Sequence, residues 1–161
     1  MNGSFARIEH IWPLVYELSL TFLVAIFVVL MLYPKYFLPT TNSDVCEKIF
    51  KEYKKIEILV IILLVLLSVS SYFFALYDEK VLIKDPMIEA IIATKWVLIT
   101  YIIVNFSYMH YKFLQSKKSF KIKNFLEVCE NLAIISYFSI LNIVVCILII
   151  YLNIALGDLK W

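Results

Sequence analysis

The 161-residue chain reads as all-α, a polytopic membrane protein built as an antiparallel bundle of four transmembrane helices. Three observations predict this. Hydrophobic residues make up 63% of the chain, against about 45–50% in soluble domains. Apolar runs of about 20 residues or more, enough to cross a hydrocarbon core of about 30 Å, occur at Ile11–Tyr33, Ile56–Tyr77, Pro86–Phe113 and Val128–Leu156. The lysines fall mainly between those runs. We expect one membrane domain over residues 1–161, with no internal repeat and no low-complexity linker. A net charge of +2, with lysines divided among short loops and no single basic face, argues against a nucleic-acid partner.

Taken in order, the first run is a span and not a signal peptide. It has only Arg7, offset by Glu9, in place of a basic leader region, its apolar length exceeds the usual range of about 7–15 residues, and no small-residue cleavage site follows. Trp12-Pro13 should open it, with the proline at the first helical position. Helix two should start before its span, because Asp44 and Glu47 are spaced like a capping box and the turns through Lys54-Lys55 are polar. Asp85-Pro86 supplies helix three with an N-cap and a first-turn proline. Gly157 should close helix four. Helices three and four overrun the minimum length for a span, which predicts tilt or extension beyond the bilayer. Neither glycine lies within a span, so no GxxxG pairing motif is present.

Topology follows from the positive-inside rule. Connection 34–55 holds Lys35, Lys48, Lys51, Lys54 and Lys55; connection 114–127 holds Lys117, Lys118, Lys121 and Lys123, with Lys112 just before it. The other side has Arg7, Lys80, Lys84 and Lys160. Both lysine-rich loops are therefore expected in the cytoplasm and both termini outside, in a bacterial inner membrane. Trp12, Trp96 and Trp161 then form an outer aromatic belt.

That topology gives depth to the polar residues. Lys95 lies about 13 Å along helix three from its outer end, at 1.5 Å per residue, and Glu17 lies about one turn inside helix one from the same side. A lysine within a span costs about 2.5–3.5 kcal/mol on insertion scales, so it needs a partner, water or a short reach to the surface. Two arrangements are open. In one, Glu17 and Lys95 pair in an outer-side polar pocket, with Thr21, Thr94, Ser68 and Ser71 as hydrogen-bonding neighbours. In the other, both side chains snorkel to the headgroups. On helix four, Asn131, Asn142 and Asn153 recur every eleven residues and return to nearly the same face. They read either as a polar track or as interhelical hydrogen bonds, with Asn105 of helix three the partner for Asn142 by depth.

The histidines do not converge. His10 precedes helix one at the outer face and His110 lies near the inner end of helix three, about 30 Å away across the core. A haem held by both within one chain is therefore not expected. His110 shares its side with Cys46 and Cys129, a group whose ligand types suit a metal but whose spacing matches no metal motif, so no metal is expected. No GxSxG, P-loop, HExxH or CxxC pattern is present.

The order of parts resembles the HemJ-type protoporphyrinogen oxidase and CopD-like four-helix membrane families. The matching parts are Leu32-Tyr-Pro-Lys-Tyr-Phe37, a charged lead into helix two, Ala93-Thr-Lys-Trp-Val-Leu98, a lysine-rich third loop and Glu130-Asn-Leu132. By that resemblance Lys95 stands at the family's third-helix lysine and Lys35 where the family has an arginine. Its haem-serving histidines correspond to positions near Ser19 and Phe106, which carry neither ligand. The resemblance implies a haem- or porphyrin-related redox or proton-linked role for the outer pocket. A chain with so little outside the membrane equally suits a noncatalytic subunit or assembly factor of a larger membrane complex, or a homo-oligomer. A transporter is disfavoured by the absence of glycine and proline breaks within the spans.

Overall fold

The structure is a computed structural model that describes the backbone of residues 5–37, 43–77 and 86–158, and the side chains of 11–32, 47–48, 50–73 and 86–156. Expectations resting on the side chains of Arg7, His10, Lys35, Cys46, Lys80, Lys84, Asp85, Lys160 and Trp161 lie outside the described residues. The chain forms α1 (Phe5–Phe37), α2 (Ser43–Tyr77), α3 (Pro86–Lys121) and α4 (Phe125–Asp158). All four are long and apolar enough to cross a membrane. They pack antiparallel in the order α2, α1, α4, α3, and the seam between α2 and α3 is the least intimate.

A single spacing rule builds the core. In α1 the buried apolar positions are Tyr16, Leu20, Leu23, Phe27 and Leu30, stepping by four and three residues, with Ser19 buried beside them. The same alternation runs through Tyr53, Glu57, Val60, Leu64, Leu67 and Ser71 of α2. In α3 it continues through Lys95, Ile99, Ile102, Phe106, Met109, Phe113 and Ser116. In α4 it takes Val128, Leu132, Ile135, Ser139, Asn142, Cys146 and Ile149. A 3-4 repeat keeps one narrow stripe of each helix facing its neighbours, the geometry of left-handed bundles. The polar residues Glu57, Lys95 and Asn142 thus occupy seam positions, while Phe22, Ile58, Val97 and Tyr151 face outward. Rings tie the stripes in register: Trp12 stacks on Phe73 at 4.5 Å between centroids, and Tyr53 on Phe113 at 3.9 Å.

The helices are longer than the apolar runs. Helix one starts at Phe5, so Pro13 lies inside it and not at its first position, where it removes the donor to the carbonyl four residues back. Helix two begins at Ser43, one residue before Asp44. Its solvated turns carry the ion pairs Glu47–Lys51 and Glu52–Lys55. The larger difference is at the third connection. Instead of a loop over 114–127, α3 continues to Lys121 and α4 starts at Phe125.

Local hydrogen bonds explain that short turn. Asn124 N–H donates to the Ser119 carbonyl at 2.9 Å and Lys123 N–H to that of Phe120 at 3.0 Å, the paired bonds of a Schellman ending. Asn124 then caps α4: its Oδ1 accepts from Glu127 N–H at 3.5 Å and its Nδ2 donates to Glu127 Oε2 at 3.1 Å. The ending requires a left-handed residue, and Lys123 takes it with φ 59°. A side chain there costs about 1–2 kcal/mol. Lys123→Gly should therefore raise the unfolding free energy by about 1 kcal/mol, read as a higher melting temperature in detergent.

Candidate functional site

Lys95 turns inward. It is 4% exposed, and its ammonium lies over the Tyr16 ring, 4.7 Å from the centroid. An aromatic face attracts a desolvated cation through its quadrupole, so α1 contributes a π surface where a carboxylate was expected. The Tyr16 hydroxyl is buried without a hydrogen-bond partner among the described residues; Asn153 of α4 is its polar neighbour. The residue after Tyr16 on the helix, Glu17, points the other way. It is exposed and, with Thr21 and Asn153, lines a recess of about 320 Å³ between α1 and α4. Glu17–Lys95 is not among the salt bridges of the described residues, which are Glu47–Lys51, Glu52–Lys55 and Glu57–His110.

The hydroxyls expected around Lys95 bond mainly to their own helices. Thr21 donates to the Glu17 carbonyl at 2.9 Å, Ser68 to Leu64 at 2.8 Å and Thr94 to Ala90 at 2.7 Å. This back-bonding satisfies a hydroxyl within apolar surroundings without a second helix. Ser71 is buried, and Ser68 lines the α2–α3 seam.

The asparagines do two different things. Asn105 Nδ2 donates to Asn142 Oδ1 at 3.1 Å, and Asn142 Nδ2 lies 3.6 Å from Met109 Sδ, joining α3 to α4 near the middle of the bundle. Asn131 is buried, with its Nδ2 lacking a partner among the described residues. Asn153 is half-buried in the recess between α1 and α4. Interhelical hydrogen bonds in membranes contribute about 0.6 kcal/mol on average and at most about 1.7 kcal/mol. Asn142→Leu should therefore lower stability by about 1 kcal/mol, leaving the Asn105 amide buried. Asn105→Leu combined with Asn142→Leu should recover part of that loss in a double-mutant cycle.

The pair that sequence reasoning missed is Glu57–His110. Glu57 is 7% exposed on the α2 seam, and its Oε1 meets His110 Nδ1 at 2.5 Å. The contact is an ion pair when the imidazole is protonated and a hydrogen bond from imidazole to the carboxyl group otherwise. It stands at one end of a groove of about 500 Å³ between α2 and α3. Ile61, Leu64, Val65 and Val69 form one wall and Ile103 and Phe106 the other, with Ser68 and Ser107 spaced between. The signal was present, since Glu57 is the sole charge between Ile56 and Tyr77.

His110 is thus engaged by a carboxylate. Cys129 is a half-buried free thiol, while the side chains of Cys46 and His10 lie outside the described residues. Among the described residues no three His, Cys, Asp or Glu side chains are grouped to hold a metal ion. No family model matches the chain, and neither a curated protein nor a solved structure is similar to it. What stands is a four-helix protein with four candidate membrane spans.

Proposed function

We propose that this integral membrane protein binds an uncharged amphiphile that slides in from the bilayer between α2 and α3, where Glu57 and His110 hydrogen-bond its polar end. The observation that carries this reading is the Glu57–His110 pair at the end of an otherwise apolar groove, the carboxylate buried and the imidazole exposed. Ligand sites of this kind combine apolar walls with a few convergent polar groups. An ionisable residue within a span is by default a candidate for function. A carboxylate bonded to imidazole both donates and accepts, so it suits a quinone or a long-chain alcohol and can exchange a proton with it. The lysine-rich ends of α2 and α3 face the cytoplasm in this reading, in a bacterial inner membrane, which puts the pair on the inner side and Lys95 on the outer. The haem- or porphyrin-linked variant rests on Lys95 over Tyr16, a cation placed to receive an anionic ring substituent.

A second reading is favoured by the same open seam: a transmembrane helix of a larger complex fills it, and the chain is a subunit or assembly factor. Photolabelling of the detergent-solubilised protein with a diazirine-bearing long-chain alcohol separates the two. Ligand binding predicts label concentrated on residues 57–69 and 103–110, lost in Glu57→Leu. Label spread evenly over the outer faces of all four helices, together with a co-purifying membrane protein in mild detergent, would favour the subunit. Binding of protoporphyrin that is weakened by Lys95→Met would support the porphyrin variant, and colourless protein without porphyrin affinity would remove it.

A further inference from the structure

The continuation of α3 to Lys121 gathers lysines that the sequence shows only as part of a connection. Residues Tyr111, Leu114, Gln115, Lys118 and Lys121 repeat by three and four along one face of α3, and with Lys117 they line a cleft of about 510 Å³ that Glu127 of α4 closes. We propose that this cleft is a binding site for the headgroup of an anionic phospholipid.

The chemistry of the lining supports an anion. Gln115 Nε2 donates to the Tyr111 hydroxyl oxygen at 3.0 Å, and Lys112 Nζ donates to Gln115 Oε1 at 2.9 Å. The chain of bonds fixes Tyr111 with its own O–H proton left to donate. Lys117, Lys118 and Lys121 add ammonium groups, and none of them enters a salt bridge among the described residues. On α2, by contrast, Lys51 and Lys55 are paired with Glu47 and Glu52 of their own helix. The one carboxylate in the cleft, Glu127, is taken up by Asn124 in the cap of α4. The cleft therefore sets three ammonium groups and a hydroxyl against a single carboxylate.

Its position points to a lipid as the source of the anion. Tyr111 to Lys121 covers about 15 Å along the helix, running from the exposed Leu114 at the apolar end to lysines at the polar end. That gradient follows the passage from acyl chain to headgroup, where tyrosine is favoured and lysines are drawn to anionic lipid.

The test uses the full chain in phosphatidylcholine nanodiscs, with phosphatidylglycerol added as the probe and bound lipid counted by native mass spectrometry. Lys117→Gln, Lys118→Gln and Lys121→Gln combined should weaken phosphatidylglycerol binding roughly a hundredfold, while the same positions changed to arginine should bind within about threefold of the parent. Lys48→Gln with Lys54→Gln, which removes charge from the same end of the bundle but not from the cleft, should also stay within about threefold. Equal loss per lysine in the two sets would overturn a defined site in favour of general surface charge. Displacement of the lipid by inorganic phosphate at similar concentration would overturn the lipid as ligand, and unchanged binding in the glutamine triple variant would overturn both.

Discussion

Phe27→Ala should lower the unfolding free energy of the bundle by about 2–3 kcal/mol, whereas Phe22→Ala on the same helix should change it by less than about 0.5 kcal/mol. Phe27 is fully buried in the α1 stripe between Leu23 and Leu30, and Phe22 is 57% exposed. In a soluble protein both terms of a truncation count, transfer of the ring from water and the cavity left behind. Within a bilayer the first term nearly vanishes, because lipid tails are as apolar as the core. The cavity term remains. A hole of roughly 100 Å³ at about 24 cal/mol per Å³ gives roughly 2.4 kcal/mol. Lipid refills the space beside Phe22, so no hole persists there. Unfolding in mixed micelles with increasing sodium dodecyl sulfate measures both. Equal losses at the two positions would contradict the placement of the α1 stripe.

The same physics explains what could be read from the sequence. Four spans are legible because length and apolarity are demanded by the bilayer whatever the partners. Which face of each span turns inward is hardly legible from apolar residues, since lipid accepts the same side chains as the core. Phe22 and Phe27 look alike on paper, and Val97, which faces outward, looks like Ile99, which is buried. Only polar residues mark the inner face. Depth counting brings Asn105 and Asn142 to one level, and their amides meet there. Depth alone does not give azimuth, however, and Glu17 sits one residue from Tyr16, about 100° around the helix. That single step sends Glu17 to the recess between α1 and α4 and puts the Tyr16 ring under Lys95. Glu57 is hard to read because Lys54 and Lys55 stand just before it, so it resembles the last residue of a solvated turn. Its place four residues after Tyr53 and three before Val60 is the seam repeat that buries it. The short third turn was legible in principle, from Asn124 and Glu127 spaced as a cap. The run of lysines before it obscured the signal by looking like a loop.

Lys95→Met should have opposite effects on the isolated third helix and on the assembled bundle. For a peptide spanning Pro86–Lys121, removing a lysine from the span should improve insertion by about 3 kcal/mol, roughly a hundredfold in the inserted fraction ratio. In the bundle that gain is already offset, because Lys95 is 4% exposed and its ammonium lies 4.7 Å from the centre of the Tyr16 ring. Methionine fills nearly the same space with an unbranched chain, and among the losses in the folded variant is the cation–π attraction, about 1–2 kcal/mol at a desolvated site. The ring is the informative partner. Tyr16→Phe keeps the π face and should preserve the coupling to Lys95, while Tyr16→Leu removes it. A double-mutant cycle of Lys95→Met with Tyr16→Leu should then show an interaction of about 1 kcal/mol, and the cycle with Tyr16→Phe close to none. A lysine that reached the headgroups by snorkelling would show no coupling to either substitution and little gain in peptide insertion. If Lys95→Met stays folded in detergent despite that loss, a loss of ligand binding in it is assigned to the missing charge and not to a collapsed fold.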